Sequence, residues 1–207
     1  MFKTNRKADH PIQDLILHRW SPRSFSQDPL SDEEIASLFE AARWAPSSYN
    51  NQPWRFLYAK KGTPEFPIFF NLLVEFNKSW CKEASILGVI ASMTLFEHNQ
   101  KPSPTHAFDT GAAWENLALE ASSKNIVVHG MQGFDYEKAR QELKIPNEVE
   151  VLAMFAAGKP GPLEELPKNL QEKEKPSQRK PIQQFVFEGI WTEDKKKSSQ
   201  SSRPDSI

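Results

Sequence analysis

Apolar positions along this chain repeat with two periods, and the switches between them predict its elements. Pro11 suits a first helical position, and Ile12, Leu15 and Ile16 recur at helical spacing until Pro22 ends the run at about Ser21. The next helix has the fullest start signals: Ser31 and Glu34 form a capping box, and Ile35, Leu38, Phe39 and Ala42 line one face. Residues 55–60 read as a short strand and the aromatic-rich stretch 67–80 as helix. Residues 84–93 are continuously small and apolar, which fits either a central strand or a buried helix segment. A Pro-rich polar link, 97–106, leads into a helix over 108–122 with Trp114, Leu117, Ala118 and Ala121 on one side. A brief strand, 125–128, precedes a turn at 130–134. Asp135 then caps a helix ending near Leu143, and 149–157 is another apolar strand.

After Gly161 the character shifts. Residues 162–180 form a Lys/Glu/Pro-rich connector, yet Ile182, Phe185, Phe187, Ile190 and Trp191 follow it and are too apolar to remain solvated. The Lys/Ser-rich residues 192–207 read as a disordered tail, and Lys195, Lys196 and Lys197 beside Glu193 and Asp194 leave little field for nucleic acid.

Composition narrows the classes. At 207 residues with 38% hydrophobic content, the chain can bury one sizeable core. A net charge of -1 gives no global attraction for nucleic acid. Cys81 is the single cysteine, which excludes an internal disulfide and a Cys-cluster metal site, and it reads as a small packing residue. The N-terminus lacks an apolar signal-type region and no long apolar run occurs, so a cytoplasmic protein without a membrane segment is expected.

Two segments carry candidate chemistry. Residues 45–54 leave a helix and pack Pro46, Ser47, Ser48, Asn50, Asn51, Gln52 and Pro53 against Trp54. The residue before each proline is pushed out of the helical region, so the segment is either a loop satisfying its own backbone or one presented to a polar ligand. In residues 19–25, Arg19, Ser21, Arg23 and Ser24 emerge at one helix boundary. Guanidinium forks and hydroxyls there suit an anion site, and equally a solvated surface turn.

In their order and spacing these segments resemble the flavin-dependent nitroreductase family, whose R-x-S-x-R-x-F and A-P-S-S-x-N-x-Q-P-W-x-F appear as Arg19 to Phe25 and Ala45 to Phe56. Asn77, the 109–119 helix with Asn116, the 130–134 turn and Arg179-Lys180-Pro181 extend the likeness over residues 12 to 191. The resemblance implies an α+β fold, a central mostly antiparallel sheet flanked by helices, with residues 1–191 as one FMN-binding domain. It also implies a homodimer in which the C-terminal segment is swapped onto the partner's sheet.

By the same resemblance, Arg19, Ser21 and Arg179 address the FMN phosphate and ribityl chain, with Trp20 alongside at a position usually polar in the family. Arg23 and Asn77 face the N1 and C2 edge of the ring, the backbone of Gln132 and Gly133 lies beside the N5 and O4 edge, and Met131 of the same turn is a further cofactor-binding residue. Pro46, Ser47, Ser48 and Asn50 cover the flavin of the other subunit. Trp80 stands where some members place a lysine, and His129 adjoins the N5 turn. The short 94–107 link leaves little room for substrate-covering helices. The implied reaction is a ping-pong transfer from NAD(P)H through flavin to a nitro compound, quinone or similar small acceptor, with no side chain required as acid or base. Dehalogenation, oxidation or flavin cleavage on the same fold, or a flavin-holding dimer without turnover, are the alternatives.

Overall fold

Strand β2, Ile86–Met93, is apolar except for the buried Ser92 because it lies inside a four-stranded sheet with a layer on each face. The structure is a computed structural model and describes residues 2–191. Strands β1 (Trp54–Lys60), β2, β3 (Val127–Met131) and β4 (Val149–Gly158) take the order β1-β2-β4-β3. Every neighbouring pair is antiparallel, so the sheet is antiparallel throughout. Period-two alternation divides the core. Leu87, Val89 and Ala91 of β2 face one cluster with Met154 and Ala156 of β4, while Ile86 and Ile90 face the other with Phe155 and Ala157. Gly88 is required at the centre of β2, since a Cβ there would lie 2.3 Å from the fully buried Phe155 ring.

Helices α2 (Asp32–Arg43) and α5 (His106–Ser123) cover the Phe155 face through Ile35, Leu38, Ala42, Ala113, Leu117 and Ala121. The α2 capping box forms as expected, with Glu34 N donating to Ser31 Oγ at 3.1 Å and Ser31 N to Glu34 Oε2 at 2.9 Å. Helices α3 (Phe66–Leu72), α4 (Glu75–Cys81) and α6 (Tyr136–Glu142) supply Phe69, Leu72, Trp80, Cys81 and Ala139 to the opposite cluster. Asp135 caps α6 by accepting from Lys138 N at 2.9 Å.

Several expected boundaries move. The 67–80 helix is two helices, because Leu73 and Val74 are extended and pair with the turn after β3: Val74 N donates to Gly133 O at 3.1 Å, and Asp135 N to Leu72 O at 2.9 Å. Tertiary backbone pairing there outweighs local helical pattern. The first helix, α1, is shorter than expected, Asp14–His18, and Arg19 is extended with its carbonyl taken by Arg6 Nη1 at 2.7 Å. Strand β3 begins and ends later than the pattern suggests, so Gly130 and Met131 are strand residues and the turn occupies 132–134. Residues 94–105 contain a turn closed by a Leu95–Pro102 bridge and no helix.

The chain divides into two compact units, one ending at Pro176 and one beginning at Ser177. In the first, the 162–176 stretch is packed: Leu166 and Leu170, the latter in helix α7 (Lys168–Gln171), are buried with Phe25 and Trp80. In the second, Phe187 and Trp191 pack with ring centroids 4.7 Å apart, while Phe185 and Ile190 are exposed. The expected tail, 192–207 with its lysines, lies outside the described residues.

Candidate functional site

Residues 19–25 leave α1 as extended chain, and their two arginines meet different carboxylates. Arg19 Nη1 donates to Ser21 Oγ at 3.3 Å, and Arg19 Nε lies 3.5 Å from Glu115 Oε1 on α5. Arg19, Trp20, Ser21 and Arg23 are all half-buried. Arg23 is held by Glu174: its main-chain N-H donates to Oε1, and its Nη1 to Oε2 at 3.2 Å. Ser24 is buried and donates to Pro162 O at 2.6 Å, which fixes the end of the motif in the fold.

A chain of contacts joins this segment to β3 and α4. His129 Nδ1 donates to Pro22 O at 3.0 Å, and its ring lies 4.7 Å from the Trp80 ring. Burial holds the His129 imidazole below its ordinary pKa, with the positive charge of Arg23 acting in the same direction, so the ring is neutral near pH 7. Trp80 is buried and stacks on Phe25 at 6.2 Å, and its indole N-H has no hydrogen-bond partner among the described residues.

One turn earlier on α4, the buried Asn77 donates from Nδ2 to Gly133 O at 2.9 Å. Gly133 accommodates this close approach because a Cβ would sit 2.7 Å from Asn77 Nδ2. Gln132 is exposed, whereas Met131 is buried with its sulfur 3.5 Å from Cys81 Sγ. Met131 therefore packs beneath the turn instead of presenting its side chain at the surface. Burial pushes the Cys81 thiol pKa up, consistent with a packing role.

The 46–52 loop is anchored elsewhere on the same unit, at the start of α5. Ser48 N donates to Asp109 Oδ2 at 3.0 Å, Ser47 Oγ accepts from Gln52 N at 3.0 Å, and Asn51 Nδ2 reaches Leu95 O at 3.3 Å. Tyr49, Asn50 and Gln52 are left-handed, with φ of 52°, 52° and 49°. Pro46 and Asn50 are exposed and Ser47 and Ser48 half-buried.

Thus Arg23, Asn77 and Gly133 are joined through Pro22, His129 and Trp80, while the loop and Arg19 both meet α5. Arg179 belongs to the second unit, where its Nη1 donates to Ser177 Oγ at 2.9 Å. Two residues of this arrangement were missed from sequence. Asp109 lay inside an amphipathic helix, and Glu174 in a run of lysines and glutamates with no local signal. Among the described residues, no cluster of His, Cys, Asp or Glu could hold a metal ion, and no helix is long and apolar enough to cross a membrane.

The model of the nitroreductase family matches residues 16–66, the span holding both N-terminal motifs. A solved structure described as an oxidoreductase containing FMN is 40% identical, covers 94% of this chain and 100% of its own, and superposes with a TM-score of 0.88. A protein named NADH dehydrogenase from Thermus thermophilus is 26% identical over 87% of this chain and 98% of its own. Nitrobenzene nitroreductase from Ectopseudomonas oleovorans is 48% identical over 44 residues, 21% of this chain and 19% of that protein. Two motifs inside a matched family model, and a 40% identical structure with the same fold over nearly the whole chain, show that this protein belongs to the nitroreductase family.

Proposed function

We propose that this chain binds FMN and works as an NAD(P)H-dependent oxidoreductase, by a ping-pong cycle ending on a nitro compound, quinone or similar conjugated acceptor. The single observation that carries the reading is the junction of Arg23, Asn77 and Gly133 through Pro22, His129 and Trp80. It links a guanidinium, an amide and a turn without side-chain bulk through one run of contacts, the group types that a flavin ring edge needs. Relatives named as NADPH nitroreductase and NADH dehydrogenase, and the FMN-containing structural neighbour, support the same cofactor and donor.

The residues present fit the group. Arg19 and Ser21 supply cation and hydroxyl for a phosphate and ribityl chain. Arg23 and Asn77 serve the N1 and C2 edge, the Gln132 and Gly133 main chain serves the N5 side, and Met131 supports that turn from below. When bound, FMN supplies the acceptance and donation of electrons at N5. The protein binds and orients it, lowers the dielectric around it, and lends positive charge where reduction places negative charge. His129, neutral and bonded to a carbonyl, holds Pro22 in place next to Arg23.

The homodimer is part of this reading. Ile12, Ile16, Tyr49, Phe76 and Phe108 are exposed on the first unit, and Phe185, Ile190 and Trp191 on the second. Apolar surface of this kind calls for a partner, here a second copy on which residues 182–191 dock, so that 1–191 act as one FMN-binding domain and Pro46, Ser47, Ser48 and Asn50 reach the partner's cofactor. Flavin-free protein titrated with FMN, followed by fluorescence quenching, tests the binding step. Saturable uptake of one FMN per chain supports the reading, and absence of saturation at millimolar FMN overturns it.

A further inference from the structure

Within the 162–176 stretch one carboxylate is turned inward. Glu174 keeps 6% of its side-chain surface exposed, and both its oxygens engage Arg23, one at the main-chain N-H and one at Nη1. The segment carrying it is fixed: Leu166 and Leu170 are buried, and the N-H groups of Lys173 and Glu174 donate to Leu170 O and Gln171 O at 3.0 and 3.2 Å. A carboxylate taken out of water persists only against an opposite charge, and Arg23 is the one it meets. The guanidinium carries five donors in a planar fork, so it can serve a second acceptor beside the one it pairs.

We propose that Glu174 is the positioning residue and counter-charge of Arg23, and that through this pair the 162–176 stretch sets the reduction potential of the bound flavin. The inference rests on the reading of Arg23 at the N1 and C2 edge of FMN. Reduction adds negative charge at that edge; Arg23 favours it, and a carboxylate behind Arg23 offsets part of the gain. Glu174 thus holds the potential below the value the lone guanidinium would give.

Redox titration of FMN-loaded protein tests this. Glu174→Gln keeps shape and removes charge, and is expected to raise the reduced-to-oxidised ratio at fixed potential about tenfold, or about 30 mV upward for a two-electron couple. Glu174→Asp keeps the charge and is expected to hold the native potential. An unchanged potential in loaded Glu174→Gln, including the case where only its melting temperature falls, overturns the proposal. So does a tenfold upward shift in Glu174→Asp, whether or not Glu174→Gln folds. If the unmodified protein takes up no FMN, the reading of the site falls and the inference with it, an outcome distinct from a loaded protein whose potential does not move.

Discussion

Ser48 gives its main-chain N-H to the carboxylate of Asp109 at 3.0 Å, which ties the 46–52 loop to the first turn of α5. Asp109 is 4% exposed and also accepts from Thr105 Oγ1 at 3.3 Å. The loop it restrains contains three left-handed residues without glycine, Tyr49, Asn50 and Gln52. Each such residue costs about 1–3 kcal/mol unless its surroundings hold it. Asp109→Ala leaves the Ser48 donor unmet and is expected to lower stability by about 1–3 kcal/mol in a denaturant melt. It should weaken FMN binding in parallel if the loop covers the cofactor. Lost stability with unchanged FMN affinity would leave the loop a scaffold and remove Ser48 from the site.

The two motif arginines should separate cofactor binding from tuning. Phosphate charge is the same in both redox states, so Arg19→Ala is expected to weaken FMN binding while the potential of retained flavin stays nearly constant. Arg23→Ala should lower the potential. Losing a charge-assisted contact of about 1.5–3 kcal/mol corresponds to about 30–65 mV for a two-electron couple. Equal potentials in loaded Arg23→Ala and the unmodified protein would remove Arg23 from the ring.

His129 gives the protein an acid-sensitive term. Burial holds its folded pKa below the ordinary value, so on acidification the unfolded chain takes up a proton before the folded one. The contribution is therefore present above about pH 6.5 and is lost as pH falls through the window between the unfolded and folded values. His129→Asn should flatten the fall in melting temperature between about pH 7 and 5. An unchanged slope in that variant would assign the acid sensitivity to other groups.

Deleting residues 182–191 removes Ile182, Phe185, Phe187, Ile190 and Trp191 together. If these dock on a second copy, sedimentation should show a weakened dimer and the same preparation should release FMN. A truncated protein that remains a flavin-loaded dimer of unchanged melting temperature would end the swapped-segment reading.

Much of this arrangement was legible before the structure, for physical reasons that differ by element. The α2 start could be read because Ser31 and Glu34 satisfy each other locally, whereas the nearly apolar run of β2 marks a buried element and fits a strand or a helix equally. The break at Leu73 and Val74 could not, since its cause is a backbone bond to Gly133, which a local pattern does not carry. The same limit applies to the site. The motif around Arg23 is local, whereas the carboxylate that holds it, Glu174, comes from a distant stretch where charge ordinarily means solvation. Met131 is the reverse case: it adjoins the turn in sequence, and its side chain is buried in the core.

The most direct test of the whole account is an anaerobic titration of the purified, FMN-loaded protein with NADPH and, separately, NADH, followed by absorbance. The flavin spectrum is expected to bleach stoichiometrically with at least one of the two nucleotides and to recover on addition of a quinone or nitroaromatic acceptor. A loaded protein whose flavin is bleached by neither nucleotide, yet is reduced rapidly by dithionite, would contradict the proposed oxidoreductase function while leaving the fold and the cofactor in place.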